Sequence, residues 1–550
     1  MYKPLLFSLL LSSTVVQAIA QAPFTTCDSV DVNNINARIL VHGDMSWDPV
    51  VGVAACEFPK GSGKHINFAT SFWTSGFDGV GQLHVSAQTY RQTGNDYWPG
   101  PLVGDTLTYS ASQNWAKIWK VDRNDIFYFL SLSTHTTSNT PESILTWPAK
   151  GNVNAAGNAG AALIITTDMA PFVDLNSNGI YEPLSGEYPD IKGDQALWWV
   201  FSDNGPTHSV THGRPMGVEV QSMAYAYNRG TLIDNVVYYD YKVINRSVNS
   251  YTGMRFGLWD DMDLGYYDDD FIGFDSVHRM GVTYNGISDD GSTAFPLLPA
   301  NSYGTHIPVA GMTMIVVPGD IGATYVPAGS FVYYDDGTTP TVDTQYNNYL
   351  HAKHGNGVHY VHDTTGNDFL GTQSGPDCNF VFTGDPSDTS QWSECSKNDN
   401  PGDRRFILTT SDFNLAAGGS QHLVLALVTT NPDTLNGCGR VSFDSIRIVA
   451  DTAWAIYNNP LPPNAVKNVA LPEAISIFPN PATTQLTIYS AKKITTITIT
   501  NLFGQTVYNS QFTVGSRRAS IDVAALPSGV YLVRVSGPDS YREVRKFVKG

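Results

Sequence analysis

Short runs in which apolar and polar residues alternate, broken every few positions by Gly, Asn or Pro, extend over most of this chain. An alternation of period two places every second side chain on one face of a β-strand, and the breaks are typical of turns. Segments 82–90, 125–132, 217–225 and 235–244 are examples, and each is interpreted as a strand. The pattern predicts a mainly β fold, built from sheets that each bury one face.

Two further patterns refine this prediction. Residues 405–410 and 422–430 are apolar runs on either side of Gly418-Gly419, which predicts a long hairpin in a β-sandwich. A helix is predicted over 443–457, because apolar residues recur there every three or four positions and Ser442 is a candidate cap. The Pro-rich segment that follows ends the helix.

The length of 550 residues exceeds what a single core usually serves, and it predicts several domains. We interpret 21–165 as an N-terminal β-rich domain and 166–460 as a central β-rich domain. An extended linker is predicted at 461–471. Residues 472–550 alternate through six or seven short strands, and they are predicted to form a small Ig-like β-sandwich.

The amino terminus has the pattern of a secretory signal peptide over residues 1–20. Lys3 is followed by an apolar stretch and then by Ala18-Ile19-Ala20, which predicts cleavage after Ala20. The apolar stretch is shorter than the ~20 residues that a membrane-spanning helix needs. No later stretch is long and apolar enough, so no transmembrane segment is predicted.

Export permits disulfide bonds, and the chain has five cysteines. Since the count is odd, at least one thiol is free or pairs with another chain. Proximity in the sequence favours the pairs Cys27–Cys56 and Cys378–Cys395.

Charge is distributed unevenly along the chain. The whole chain has a net charge of −18, whereas residues 472–550 carry nine Lys and Arg against four Asp and Glu, so the remainder holds −23. An acidic body argues against nucleic acid or an anionic membrane as the partner. Asp outnumbers Glu by 42 to 8, a bias that favours turns and sites for hard cations.

Residues 174–182 resemble the start of a calcium-binding loop. Oxygen ligands would come from Asp174, Asn176 and Asn178, and a glycine follows at the sixth position, as such loops require. The twelfth position departs from the pattern, because Ser185 stands where a bidentate acid is expected, so an acid further along such as Glu187 would have to serve. The alternative is an ordinary Asn/Gly turn.

A second candidate for calcium is the acidic segment 259–275, which packs seven Asp into 17 residues. Crowded carboxylates repel one another unless a cation binds them or they point separately into solvent. Both alternatives are open, although the interleaved aromatic residues disfavour a wholly solvated run. The candidate ligands are Asp260, Asp261, Asp263, Asp268, Asp269 and Asp270.

The terminal module contains four recognisable blocks. They are Phe478-Pro-Asn-Pro481, Asn501-Leu-Phe-Gly-Gln-Thr-Val507, Leu526-Pro-Ser-Gly-Val-Tyr-Leu-Val533 and Lys546-Phe-Val-Lys549. In this order they resemble the type A C-terminal sorting domain of the type IX secretion system of Bacteroidetes. The resemblance implies that the module binds the type IX machinery and that the body is secreted or attached to the outer surface. The motif residues are Pro479, Asn480, Pro481, Gly504, Gly529, Tyr531 and Lys546. The alternative is an Ig-like domain used for binding.

The body resembles, more weakly, large exported proteins that carry the same module. The similar blocks include 61–65, 95–101, 193–201 and 245–247. This resemblance implies no activity for the body.

The body lacks the usual catalytic signatures: there is no Gly-x-Ser-x-Gly, no His-Glu-x-x-His and no phosphate-binding loop. Four histidines between 351 and 362 fit no familiar zinc spacing, and we expect them in surface loops. We therefore interpret the body as a non-enzymatic, calcium-stabilised binding or structural module with a glycan or a protein as its ligand. The alternative is a secreted glycosidase or peptidase, since modules of this type often accompany such enzymes.

Overall fold

The computed structural model describes residues 24–89, 95–291, 301–320, 325–431, 437–462, 475–478, 480–501, 505–537 and 542–550. The chain divides into two compact units, Met1–Asn464 and Ala465–Gly550, which are called the body and the sorting module below. The predicted signal peptide and residues 463–471 of the predicted linker lie outside the described residues.

The strands of the body are β1 (Cys27–Val30), β2 (Asn36–Leu40), β3 (Asp44–Met45), β4 (Trp47–Asp48), β5 (Val53–Ala54), β6 (Cys56–Glu57), β7 (His65–Asn67), β8 (Ala69–Phe77), β9 (Leu83–Ser86), β10 (Trp98–Pro99), β11 (Trp119–Asp122), β12 (Phe172–Val173), β13 (Tyr188–Pro189), β14 (Gln195–Ser202), β15 (Val218–Ala226), β16 (Val236–Asn245), β17 (Tyr251–Asp261), β18 (Asp270–Asp275), β19 (Met280–Asn285), β20 (Ala310–Val316), β21 (Ala328–Tyr334), β22 (Arg405–Thr410), β23 (Phe413–Leu415) and β24 (Ser420–Thr429).

Its helices are short apart from the last one. They are α1 (Tyr109–Trp115), α2 (Arg123–Leu130), α3 (Glu142–Leu145), α4 (Asp343–Leu350), α5 (Glu394–Lys397) and α6 (Asp444–Asn458), with 3₁₀ turns at Asn158–Gly160, Pro183–Ser185, Leu232–Asn235 and Asp336–Thr338.

Two large antiparallel sheets make up the body. The first has the strand order β21-β22-β17-β8-β3-β2-β6-β7, with β1, β9 and β23 paired at its sides. The second has the order β10-β14-β15-β16-β24-β20-β19-β18, with β11 beside β14. The prediction of a mainly β fold is confirmed.

The main core contains buried residues from both sheets. Phe72 of β8 lies 6.0 Å from Tyr241 of β16, measured between ring centroids, and both are buried. The opposite face of the second sheet forms another core with α6 and with the segment 115–191. There the hydroxyl of Tyr238 donates to the carbonyl oxygen of Ala453 at 2.8 Å, which ties α6 to the sheet.

Strands from both sides of residue 165 belong to the same sheets. β8 pairs with β17, with Ser71 opposite Trp259, and β11 pairs with β14. Whereas the sequence divides the body at about residue 165, the structure gives residues on both sides of that position shared sheets and shared cores. Contacts between strands far apart in sequence unite the body, and no local pattern signals them.

The predicted strand at 125–132 is wrong, because α2 (Arg123–Leu130) occupies this position. Asp122 precedes the helix with extended backbone angles, Asp125 lies in its first turn, and Ile126 and Phe129 are buried three positions apart. An acidic first turn and this spacing favour a helix. The helix predicted over 443–457 is present as α6.

The predicted hairpin between 405–410 and 422–430 is also wrong. β22 pairs with β17 and β21 in the first sheet, whereas β24 pairs with β16 and β20 in the second. The short strand β23 pairs with β17, and the chain then crosses to the other sheet. Both runs are buried, so apolarity alone gave no sign of which sheet each would join.

The predicted cysteine pairs are replaced by Cys395–Cys438. Cys27 lies in β1 and Cys56 in β6, and both strands pair with β2, one on each side of it. Two strand spacings of about 4.8 Å are too wide for a disulfide. Cys378 is free, as are Cys27 and Cys56.

The sorting module contains β25 (Ile475–Phe478), β26 (Gln485–Asn501), β27 (Thr506–Asp522), β28 (Gly529–Ser536) and β29 (Arg542–Lys549). The pairs β25–β26, β26–β27, β26–β28 and β28–β29 are antiparallel. Its own core contains Ile488, Ile497, Val533 and Phe547.

Candidate metal centre and sorting module

Three carboxylates meet where β17 and β22 end side by side. The antiparallel register places Asp260 opposite Phe406. Continuing this register by three residues brings Asp263, just after β17, level with Asp403, just before β22. The ends of two strands about 140 positions apart in sequence thus create an acidic cluster, which consists of Asp261, Asp263 and Asp403.

The three side chains each offer one oxygen, and these oxygens all lie within 4.8 Å of one another. Within the described residues, these three are the group of Asp, Glu, His or Cys side chains that lie close enough together to hold a metal ion. Asp261 is 2% exposed, and its Oδ1 lacks a hydrogen-bond partner within the described ranges. A buried carboxylate oxygen without a partner is costly, which makes the group of three carboxylates a candidate metal centre.

One guanidinium approaches the acidic cluster. Arg405 makes a two-atom contact with Asp403 at 3.0 and 3.1 Å, and its Nη2 lies 2.9 Å from the exposed Asp336. Its Nε stands 3.5 Å from Asp261, which is longer than a normal hydrogen bond. A single positive charge therefore faces three clustered carboxylates and Asp336, which leaves an excess of negative charge.

Burial raises the pKa of Asp261 and of Asp263 well above the ordinary value for Asp. At Asp261, the charge of Arg405 opposes this rise and Asp403 adds to it. Burial likewise raises the pKa of Asp403. A raised pKa means that these acids release their protons less readily than an ordinary Asp, so a divalent cation at the cluster would compete with protons for the same oxygens.

The other four predicted ligands of the acidic segment lie outside the acidic cluster. Asp260 is buried beside the cluster, and its Oδ1 accepts from Asn67 and Thr70 at 2.6 and 2.7 Å. Asp269 and Asp270 are buried on the other side of the turn, where they accept from Gly291 and Leu264. Asp268 is exposed. The structure therefore places two of the six predicted ligands, Asp261 and Asp263, in the acidic cluster.

Asp403 is the member of the acidic cluster that the sequence did not predict. It stands alone between Gly402 and Arg404, far from the acidic segment, with no motif around it. The prediction of β22 at 405–410 was the available signal, since residues just before a strand can meet residues just after its neighbour. The identity of that neighbour was not readable from the sequence.

The loop at 174–182 has a different environment. Oδ2 of Asp174 accepts the backbone N–H of Gly179 at 2.8 Å, and Oδ1 accepts that of Asn178 at 3.3 Å. The amide groups of Asn176 and Asn178 donate to Glu182 at 2.9 and 2.8 Å. The bond to Gly179 leads several backbone hydrogen bonds that lower the pKa of Asp174. The predicted calcium ligands are close together here, on an exposed loop that is closed by its own hydrogen bonds.

A Ser–His–Asp arrangement lies elsewhere in the body. Oγ of Ser86 is 2.9 Å from Nε2 of His208, and Nδ1 of His208 is 3.4 Å from Asp96. Ser86 is completely buried, and its hydroxyl donates to Asp203 at 2.7 Å. The hydroxyl hydrogen is thus directed to a second carboxylate rather than to the imidazole.

Within the sorting module, the described motif residues hold the last strand in place. Oδ1 of Asn480 accepts the N–H of Val548 at 2.8 Å, and Tyr531 stacks on Phe547 at 5.4 Å. The hydroxyl of Tyr531 donates to Pro527 at 2.8 Å. Pro481 follows Asn480, Gly529 begins β28, and Lys546 lies opposite Leu532 in β29. The predicted motif residues Pro479 and Gly504 lie outside the described residues.

Residues 476–550 match the family described as "Secretion system C-terminal sorting domain". The chain therefore carries a type IX sorting domain, as the four blocks predicted, and it is secreted or attached to the cell surface. In the described part of the chain, no helix has the length and apolarity needed to cross a membrane.

The body has only weak similarity to the solved structures that were compared with it. No curated protein matches the chain. A solved polysaccharide lyase is 9% identical, with a TM-score of 0.17, over 60% of this chain and 34% of its own. PorZ, a surface component of the type IX secretion system of Porphyromonas gingivalis, is 12% identical, with a TM-score of 0.13, over 85% of this chain and 63% of its own. The chain thus spans less than two thirds of either protein, and similarity at this level carries no argument about the body.

Proposed function

We propose that the body is a calcium-stabilised, non-enzymatic binding or structural module that works outside the cell after delivery by the type IX machinery. The observation that carries this proposal is the convergence of Asp261, Asp263 and Asp403 with a buried, unpartnered oxygen among them. An all-oxygen ligand set suits a hard cation.

Calcium fits this ligand set better than magnesium. Three carboxylates, each binding through one or two oxygens, can supply much of the six to eight oxygen ligands that calcium takes. Magnesium demands a near-ideal octahedron at short distances and releases its water reluctantly. Asp336 is available at the exposed side, where it is held by Arg405.

The test is thermal unfolding of the purified protein in calcium, in magnesium and in chelator. A ligand that binds only the folded state raises the free energy of unfolding by about 2.7 kcal/mol at a hundredfold excess over its Kd. We expect the melting temperature to fall in chelator and magnesium to restore little of the loss. Identical curves in calcium and in chelator would remove the metal from this proposal.

Delivery has its own test. Deletion of residues 472–550 should leave a folded body in the periplasm, because the body has its own sheets and cores. Fractionation and immunoblotting would locate the truncated protein. Normal surface delivery of the truncated protein would contradict the role of the sorting module.

A secreted hydrolase is the second candidate, and the Ser86–His208–Asp96 arrangement favours it. Burial of Ser86 and its bond to Asp203 oppose this role, because a nucleophile needs both access and a base that receives its proton. A fluorophosphonate probe decides between the alternatives. Labelling of the native protein that is lost in Ser86→Ala would establish the hydrolase, and we expect no labelling.

A further inference from the structure

A polar cavity of about 420 Å³ lies beside α5, away from the acidic cluster. Its volume falls in the range of small-molecule sites, which is about 300–1,000 Å³. One side is formed by residues 383–384 and 389–392, another by Ser396 and Lys397 of α5, and a third by His362 and Asp363.

The lining combines an aromatic pair with many hydrogen-bonding groups. His362 is exposed and lies 4.5 Å from Trp392, measured between ring centroids. Asp363 and Lys397 form an ion pair across the cavity's rim, and neither group exhausts its hydrogen-bonding capacity in one contact. Hydroxyl and amide side chains come from Thr383, Thr389, Ser390, Gln391 and Ser396.

The walls of the cavity are fixed by contacts that do not need a ligand. The turn at 385–391 is closed by Asp388, which accepts from Ser390 and Gln391 at 2.6 to 2.9 Å. The neighbouring α5 is held by the Cys395–Cys438 disulfide. Binding to a site with fixed walls loses less conformational entropy than binding to a mobile one.

Backbone conformation at the border supports a built site. Asp363 and Phe382 have φ angles of +71° and +48°, in the left-handed region that non-glycine residues rarely adopt. Such residues persist where the surrounding structure holds them, and they cluster at ligand sites. Asp363 lines the cavity itself, and Phe382 directly precedes Thr383, which also lines it.

The charge of the lining selects among polar ligands. Asp363 and Lys397 cancel, so the cavity carries no net charge although the body is strongly acidic. A charged ligand would be attracted by one member of the ion pair and repelled by the other. A neutral polyhydroxyl ligand instead meets hydroxyls, an amide and an ion pair that both donate and accept, and its apolar face can pack on an aromatic edge.

We propose that this cavity binds a neutral saccharide of one or two sugar units. The inference names a ligand class for the binding module of the proposed function, at a site separate from the acidic cluster.

The experiment measures binding of neutral gluco-, manno- and galacto-oligosaccharides to the purified full chain by isothermal titration calorimetry. Galacturonic acid oligosaccharides and a mixed peptide library serve as comparison probes. We expect at least one neutral saccharide to bind. His362→Ala and Lys397→Gln should each weaken that binding about tenfold, since each removes an aromatic or charged contact.

The matched control is Lys150→Gln. Lys150 pairs with the exposed Asp168 at 3.0 Å, outside the cavity, and its loss should leave saccharide binding unchanged. Melting temperatures of the variants exclude unfolding as the cause of lost binding. Binding that survives both cavity variants, absence of any bound neutral saccharide, or binding of acidic saccharides or peptides alone would overturn the assignment.

The calcium response is recorded in the same samples. If no neutral saccharide binds the natural protein while calcium still raises its melting temperature, the saccharide cavity is rejected and the metal centre stands. If a neutral saccharide binds but calcium does not raise the melting temperature, the metal centre is rejected and the saccharide cavity stands.

Discussion

The loop at 174–182 and the acidic cluster are both acidic candidates for calcium, yet their surroundings are opposite. The loop is exposed, and the carboxylate of Asp174 is already used by backbone N–H groups of its own loop. The acidic cluster is largely buried, its members come from two distant segments, and Asp261 has an oxygen without a partner among the described residues. The motif that is easy to read in the sequence thus has the more complete set of hydrogen bonds.

The loop and the acidic cluster differ in how much they need a cation. A turn that satisfies its own carboxylate is stable by itself, whereas buried carboxylates that face one another need a positive charge. In the acidic cluster, Arg405 supplies one such charge. Variants that remove the guanidinium or one carboxylate separate the contribution of Arg405 from that of a bound cation.

Arg405→Gln should have the largest effect. Removing the positive partner of buried carboxylates costs about 3–5 kcal/mol. We expect this loss of unfolding free energy in chelator and a substantial recovery in calcium, measured by denaturant unfolding. The control is Arg255→Gln, which removes a guanidinium that is paired with the exposed Asp412 and should cost the same in both conditions. An equal loss for Arg405→Gln in calcium and chelator would contradict a metal at the cluster.

Asp261→Asn should invert the order of stabilities. In chelator the variant should be at least as stable as the natural protein, because a neutral amide replaces a buried acid. In calcium it should lose most of the metal's contribution, about 2.7 kcal/mol at a hundredfold excess over Kd. Melting curves in both conditions test the crossover, and Asp168→Asn, at an exposed ion pair, is the control. If calcium raises the melting temperature of Asp261→Asn as much as that of the natural protein, the acidic cluster is not the calcium site that distinguishes it from the loop.

The pH dependence should have opposite signs for the buried acids of segment 259–275 and for the loop at 174–182. Burial raises the pKa of Asp260 and of Asp269 from 3.8 to about 7. The folded state then binds more protons than the unfolded state between these values, so these acids make the metal-free body less stable as pH rises through that window. Asp174 has a lowered pKa, so its contribution is present above 3.8 and is lost as pH falls through its folded value.

Melting temperatures from pH 4 to pH 8 test these signs. We expect the curve in chelator to decline with rising pH and the curve in calcium to be flatter, because calcium competes with protons for the oxygens of the acidic cluster, whose pKa values burial also raises. A stabilising effect of calcium that is as large at the acidic end as at the neutral end would contradict this account.

Asp174→Ala should have the smallest effect. The substitution removes the acceptor for Gly179 and Asn178 on an exposed loop, and we expect a small drop in melting temperature. The substitution should reduce the calcium-induced rise in melting temperature by less than Asp261→Asn does. A larger share for Asp174 would reverse the comparison and make the loop the main calcium site.

Sequence reasoning succeeded where the signal is local. The strands at 217–225 and 235–244, the helix at 443–457 and the sorting module all follow from periodicity or from motif blocks, and each is present. The acidic segment was also located, because seven Asp in a short stretch are visible without a structure.

It failed where distant partners decide the outcome. The pairing of β22 with β17 brings Asp403 to Asp261, and the crossing between sheets separates β22 from β24. Proximity in the sequence likewise misled for Cys395, whose partner is 43 positions away at Cys438. Strand neighbours are set by the packing of the whole body, so residues beside a strand end carry no local sign of what they will meet.

The Cys395–Cys438 disulfide affects how the protein responds to extracellular proteases. The bond spans 43 positions and anchors α5. A protease that cuts once anywhere between the two cysteines would leave both fragments covalently joined, in an exterior that keeps disulfides oxidised. The nicked protein would migrate as one band on a denaturing gel without reductant and as two bands with it. The saccharide cavity would therefore keep its α5 wall attached after the cleavage.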